Sequence, residues 1–493
     1  RPGISLLRAW AMVLTGELET AEAHLQAASQ VFDLDPSEAP HVDLRGEIEA
    51  LRATIAYFRR DMSTAISLYQ RALENIPAGN RFLRGCVAQS LGAAYGWQGL
   101  VVEATQAYAE ANTINRRTGN LPVSLIAQWN LGRLQYEQAH LHQAEEIYRQ
   151  GIVTLNQQPV IQQQELLPVS GRLHIGLAEI LYEWNEIGAA LDQVKTGLEL
   201  SQSRQQSSTQ VMGHIMVARI RLQQGDIDAA GQALQQADYL AQRVSGPFYW
   251  AAQVARWQAR FWLHQGNLRA VADWLKIHHL PPDDLPETIP YLQEDEYLLL
   301  VRLLLAQGRQ QTDLVPLRLE KPFALAVTLL QKIEKNARDT HRAGRLIEVL
   351  LLQALVQQQL SNSSQAVKRL SEALAIGEPE GYVRIFGDEG KPVVALLHQA
   401  AAQKLAPEYI TKLLAALGSS RGEMPAELLL DPLSERELEI LRLIATGVSN
   451  KDLAVKLVLT VGTVKWHLNN IYSKLGVRSR TQAVAKARDL GLI

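Results

Sequence analysis

One short pattern recurs along most of this 493-residue chain and limits what the chain can fold into. It is a Gly or polar turn, an apolar residue, then a small residue two or three positions on, followed by a helix-length run. Copies read Gly16-Glu17-Leu18-Glu19-Thr20-Ala21, Asp61-Met62-Ser63-Thr64-Ala65, Gly99-Leu100-Val101-Val102-Glu103-Ala104 and His140-Leu141-His142-Gln143-Ala144. They continue to Ala190, Ala230 and Val271, with fainter copies ending in Ala326 and Ala366. These anchors lie 39 to 46 residues apart, except for one interval of 55 that holds a Pro-bearing insertion from Asp313 to Pro322. A period of this size marks stacked supersecondary units, each too small to bury its apolar face alone. The expected product is an all-α solenoid of helix-turn-helix pairs with a concave surface, in which the small anchor lets the second helix approach the first.

Two strings, Ala65-x-x-x-Tyr69-x-x-Ala72-Leu73 and Ala144-x-x-x-Tyr148, resemble the second helix of a tetratricopeptide repeat. The period is longer than the usual ~34 residues and closer to that of HEAT repeats. The turn and the Ala/Tyr pattern favour the tetratricopeptide type. Pro-bearing stretches at Asp35 to Pro40, Gln157 to Pro159 and Leu280 to Pro290 read as turns between units. Trp250, Val254, Trp257 and Phe261 fall on one helix face, beside Phe248, Tyr249, Trp262 and Trp274. That face is either a packed core or, at Trp262 or Trp274, the wall of a ligand groove.

The C-terminal stretch is punctuated differently. Ser434 and Glu437 have capping-box spacing, Gly447 suits a helix end, and Asn450 and Thr460 are candidate N-caps. Only Val458 to Thr460 separate the second helix's Leu457 from a third, a joint tight enough for a helix-turn-helix. Val464, Leu468, Ile471 and Leu475 form an apolar stripe on that third helix, and Lys465, Trp466 and Asn469 lie off it. Lys donates well to guanine O6 and N7, and Asn pairs with adenine N6 and N7, when such a helix enters a major groove. From Gly447 to Ile493 there are eight Lys and Arg against two Asp and Glu, about +6, whereas the first 446 residues carry about −8. That asymmetry places polyanion binding at the C-terminus.

The strings Leu433-Ser434-x-Arg436-Glu437, Gly447-x-Ser449-Asn450-Lys451, Thr463-Val464-Lys465-x-His467, Asn470-Ile471-Tyr472, Lys474-Leu475-Gly476-Val477 and Arg480-Thr481-Gln482-Ala483 resemble the LuxR-type helix-turn-helix DNA-binding domain. The resemblance implies base contacts from Lys465, Trp466 and Asn469. It implies phosphate contacts from Asn450, Lys451, Thr460, Thr463, Lys474, Arg478, Arg480 and Thr481, and pairing through a fourth helix near Arg480 to Leu490. There Val484, Ala487 and Leu490 form a stripe that either packs inward or joins a partner, with Gln482, Lys486 and Asp489 beside it. Upstream, Ala373-Leu374-Ala375-x-x-Glu378-Pro379-Glu380-Gly381-Tyr382-Val383-Arg384-Ile385-Phe386-Gly387-Asp388-Glu389-Gly390 resembles the end of the sensor solenoid in MalT-like regulators, the large ATP-binding LuxR-type proteins. Pro379 ends one helix there, and a last solenoid helix is expected to reach about Ala402.

The expected domains are a sensor solenoid over 1–417, a linker over 418–427, and a four-helix DNA-binding domain over 428–493. No G-x-x-x-x-G-K-[ST] phosphate loop is present, so no cofactor is expected in this chain. ATP would belong to a nucleotide-binding domain that the resemblance places upstream of Arg1. The opening Arg1-Pro2-Gly3, without Met, fits the C-terminal part of a longer protein. The lone Cys86 excludes an internal disulfide and argues against a Cys-based metal site. It suits a reducing cytoplasm, and no membrane-length apolar run occurs. No catalytic constellation is evident, so an enzyme is not expected. The function expected is a bacterial transcription regulator, an activator, partnered by double-stranded DNA, a second copy of itself, the transcription machinery and a small-molecule or protein inducer. The alternative is an interaction scaffold with a degenerate helix-turn-helix. Salt-dependent binding to duplex DNA separates the two.

Overall fold

The computed structural model describes residues 2–34, 41–202, 207–244, 249–280, 285–310, 322–418, 435–457, 464, 467–468, 471–472, 477 and 479–489. Every regular element among them is helical. By contact the chain divides into two compact units, Arg1–Ile385 and Phe386–Ile493.

The first unit is a stack of helical hairpins: α1 (Pro2–Thr15) with α2 (Leu18–Leu34), α3 (His41–Phe58) with α4 (Met62–Asn75), α5 (Arg81–Trp97) with α6 (Val101–Arg117), α7 (Leu121–Glu137) with α8 (Leu141–Asn156) and α9 (Val160–Glu183) with α10 (Ile187–Gln202). They continue with α11 (Ser207–Gln223) and α12 (Ile227–Ala241), α13 (Tyr249–His264) and α14 (Leu268–Ile277), α15 (Glu294–Gln310) and α16 (Pro322–Asp339), and α17 (Ala343–Gln359) and α18 (Ser363–Gly377). All nine sequence anchors fall in the first turns of the even-numbered helices. Ala21, Ala65, Ala104, Ala144, Ala190, Ala230, Val271, Ala326 and Ala366 are each 0% exposed. A side chain no larger than Val at this position sets the spacing between paired helices.

The turns explain the rest of the pattern. In each described hairpin turn one residue has positive φ: Gly16, Gly99, Gly225 and Gly266, but also Arg60, Ala139, Asn185 and Ser361. The next amide donates back across the turn to close a Schellman-type motif, as Asp61 N does to Ala56 O and Asn362 N to Gln357 O, both at 2.9 Å. In four of these turns that next residue also caps the following helix with its side chain. The side chains of Asp61, Asp226, Asn267 and Asn362 accept the amides of Thr64, Ala229, Ala270 and Gln365. One residue therefore ends a helix, and its neighbour starts the next.

Tyrosines fill the gaps between hairpins. The Tyr148 ring on α8 lies where a Cβ on Gly132 of α7 would come within 2.4 Å of it, and one on Gly176 of α9 within 2.5 Å. Tyr108 stands against Gly92 in the same way.

The first unit also closes on itself. The loop Glu380–Val383 and the start of α19 (Arg384–Gly387) return to helices about 200 residues earlier. Tyr382 donates to Tyr136 O at 3.3 Å, Trp184 Nε1 to Glu380 O at 2.9 Å, and the His142 amide to Glu380 Oε2 at 3.1 Å. Glu183 is the hub. Its carbonyl accepts from Val383 N at 2.9 Å, and its carboxylate accepts from Ile385 N and from the Tyr136 hydroxyl, both at 3.0 Å. Nearby, Tyr291 donates to Glu137 at 3.0 Å, and a Cβ on Gly344 of α17 would meet Tyr136 O at 3.0 Å.

In the second unit, α20 (Lys391–Ala402) follows Gly390, whose φ is +73°. It ends at Ala402 as expected, but it is not the last helix before the C-terminal domain. Pro407 opens a further one, α21 (Pro407–Ala416), which buries Tyr409, Ile410, Leu413 and Leu414. The Phe386 and Tyr409 rings meet edge to face at 6.1 Å. Among the described residues no helix is long and apolar enough to cross a membrane.

Candidate nucleic-acid interface

The C-terminal domain is built on α22 (Glu435–Ala445), α23 (Asn450–Lys456), a helical segment that includes Val464, His467, Leu468, Ile471 and Tyr472, and α24 (Arg480–Asp489). Its core joins all four: Ile440, Leu441 and Ile444; Leu453, Ala454 and Leu457; Val464, Leu468 and Ile471; and Ala483 and Ala487. The stripe read from the sequence is buried at Val464 (0%), Leu468 (4%) and Ile471 (0%). Leu475 lies outside the described residues.

Local chemistry sets the joints. Gly447 has a φ of +85°, and its amide donates to Ile444 O at 3.1 Å, which ends α22. The cap of α23 is Ser449, not Asn450. Ser449 Oγ accepts from Asp452 N at 3.3 Å and donates to Asp452 Oδ2 at 2.5 Å, and Ser449 O accepts from Leu453 N. Ser with Asp three residues on completes a reciprocal cap that Asn450 lacks the partner to make, so the helix begins one residue earlier than expected. Val477 N donates to Tyr472 O at 2.9 Å. Ser479 caps α24 through Gln482 N at 3.3 Å. Glu437 is buried, at 4% exposed; Ser434, its expected capping partner, and Thr460 lie outside the described residues.

Of the expected DNA contacts, Lys465, Trp466, Asn469, Thr460, Thr463, Lys474 and Arg478 lie outside the described residues. Lys451 stands in the first turn of α23 and Thr481 in the first turn of α24. Asn450 and Arg480 are brought together. Arg480 Nη1 donates to Asn450 Oδ1 at 3.4 Å, and Nη2 donates to Ile444 O at 3.0 Å and to Val448 O at 2.6 Å. Burial pushes the half-buried Tyr472 hydroxyl up from its ordinary pKa, against the opposing pull of the Arg480 charge. On α24, Ala487 is buried and Val484 packs against the core, so the expected stripe points inward. Leu490 lies outside the described residues, and Gln482 beside the stripe is exposed.

The aromatic stripe of α13 packs as a core. Trp250, Val254 and Trp257 sit against Val211, Ile215 and Ala237, and Phe261 and Trp262 against Ala218, Ala230 and Leu234. Trp274 is 8% exposed and stacks on His278 at 4.0 Å. Trp262 is half-buried against its cluster; Phe248 is outside the described residues.

The chain thus joins a tetratricopeptide-like helical repeat to a C-terminal helical domain of the helix-turn-helix class. Comparison with known proteins agrees. The chain belongs to the family described as "MalT-like TPR region", which it matches over residues 46–403. Residues 431–487 match "Bacterial regulatory proteins, luxR family". The "HTH-type transcriptional regulator MalT" of Yersinia enterocolitica is 24% identical over 519 residues, covering 99% of this chain and 54% of the relative. The protein of the same description from Serratia proteamaculans is 23% identical with the same coverage. The chain thus spans about half the length of these curated relatives. Among solved structures, that of a Rap protein complexed with competence and sporulation factor aligns at a TM-score of 0.49 and 13% identity, covering 77% of this chain and 98% of that one.

Proposed function

We propose that the C-terminal domain binds duplex DNA at promoters and that the helical-repeat region receives a small-molecule or protein signal, on which the regulator acts as an activator. The observation that carries the DNA-binding reading is the burial of Val464, Leu468 and Ile471 in the shared core. In sequence, Lys465, Trp466 and Asn469 are out of phase with that stripe, which suits them to base edges, in a segment of about +6 net charge. Lys451, Thr460, Thr463, Lys474, Arg478, Thr481 and Asn450 are then the phosphate contacts. One such helix reads only a few base pairs, too few to discriminate among genomic sites. Two copies on two half-sites supply the rest, and the exposed Gln482 flank of α24 is the candidate contact between them.

The test is fluorescence anisotropy of the full chain on a labelled duplex across a salt series. Affinity is expected to fall steeply between about 50 and 200 mM salt. Lys465→Ala is expected to cost about 1–3 kcal/mol on the preferred sequence and relax specificity at one base, and Lys474→Ala to weaken all sequences alike. Affinity that is flat or absent across the series supports the scaffold alternative.

A further inference from the structure

We infer that Arg480 is a positioning residue and not a phosphate ligand: it ties the start of α24 to the turn after α22 and orients Asn450 so that the Asn450 amide NH2 is the phosphate donor. This rests on the DNA-binding reading above.

The argument starts from the helix end. The last carbonyls of α22 have no partner within the helix and require donors from elsewhere. Arg480 adds one to Ile444 O, which also accepts from Gly447 N, and one to Val448 O in the turn that follows: one terminal nitrogen is shared between the two, at 3.0 and 2.6 Å. The other reaches Asn450 Oδ1 at 3.4 Å. Three of the five N–H donors of the fork are thereby committed to the protein's own acceptors. The residue is half-buried, with its charge against Tyr472. To take a phosphate, a guanidinium so engaged would have to abandon Val448 O and leave Ile444 O with the Gly447 amide alone, at a cost in a partly buried turn.

The same contact decides which way Asn450 faces. An amide carbonyl that accepts from Arg480 sets the Nδ2 end on the far side of the carboxamide. Asn450 does not cap its helix, since Ser449 does, so its side chain is not required for the backbone. Its half-exposed side chain and the fixed amide suit a neutral hydrogen bond to a phosphate oxygen.

Two variants of the full chain separate the roles, read by anisotropy on a fluorescein-labelled duplex of mixed sequence over a salt series, with thermal melts alongside. A lost direct phosphate contact from a cation lowers the slope of log affinity against log salt by about 0.9. For Arg480→Lys the inference expects affinity to fall about tenfold with the slope unchanged, because Lys keeps the charge but cannot fork to three acceptors. Asn450→Asp retains an acceptor for Arg480, so its melt is expected to hold, while replacing NH2 with a carboxylate oxygen is expected to cost at least tenfold in affinity. Wild-type affinity and slope in Arg480→Lys, or wild-type binding by Asn450→Asp, overturns the inference. If Arg480→Lys fails to fold, Asn450→Asp still decides. Salt-independent or absent binding by the wild-type chain sinks the DNA-binding reading itself, while a lowered melt of Arg480→Lys still reports the clamp on α22.

Discussion

Ser361 sits at a φ of +57° with an exposed side chain. The left-handed region costs a residue with a Cβ roughly 1–2 kcal/mol, and only Gly enters it freely. Four sister turns carry Gly at the equivalent place. Ser361→Gly is therefore expected to stabilise the chain, by about 0.5–1 kcal/mol after allowing for the added freedom of the unfolded state, read as a higher melting temperature. The turns that hold Asp61, Asp226 and Asn267 were legible in sequence from the repeat, whereas the capping role of these side chains was not read there. Ser449 was missed because two good capping residues are adjacent, and what decides between them is the reciprocal bond to Asp452. The buried Glu294–Arg342 pair, at 2.6 and 2.8 Å with both side chains at most 1% exposed, was not legible at all. Nothing local marks two charges 48 residues apart as partners.

At the scale of the element, the anchors were legible because each is dictated within its own hairpin. The Tyr148 wedge was only half so. Its Ala-x-x-x-Tyr string was visible, but the helical glycines that make room for the ring were not singled out. Gly92, Gly132 and Gly176 recur at nearly the repeat period, and that spacing was the available signal. Gly in a helix interior costs about 1 kcal/mol against Ala, so Gly176→Ala ought to stabilise an isolated helix. In the folded chain the added methyl would lie 2.5 Å from a buried ring held on its other side by Gly132. Overpacking of this kind costs about 1–3 kcal/mol, and a lowered midpoint of chemical denaturation is expected. Helix α21 was missed for another reason. Its start at Pro407 follows Ala406 at a φ of +34° and carries no capping side chain, so the chain breaks and restarts without the usual residues.

At the scale of the whole molecule, the helical repeat was legible and its closure was not, because period describes neighbours and closure joins strangers. Glu183→Ala removes the carboxylate that holds Ile385 N and Tyr136, and it leaves Arg219, 3.7 Å away, without that charge. A loss of about 3 kcal/mol is expected, within the range for breaking a buried charged pair. Hydrogen exchange is expected to rise first at Tyr382 to Ile385. Exchange confined to α9, with Tyr382 to Ile385 still protected, would mean that the return segment is held by other contacts.

Closure also bears on how such a chain can change length. An open repeat array tolerates the gain or loss of a unit, since each unit touches only those beside it and stability is close to a sum of local terms. Here Glu380 must arrive opposite His142 and Trp184, and Tyr291 opposite Glu137. Deleting or duplicating any hairpin between α9 and α17 would carry these residues past their partners. The α5–α6 hairpin is tied in as well, through Trp97 against Tyr249 and Gly99 against Tyr291, so the number of units from α5 to α17 is locked and variation by whole repeats is confined to the hairpins that precede α5.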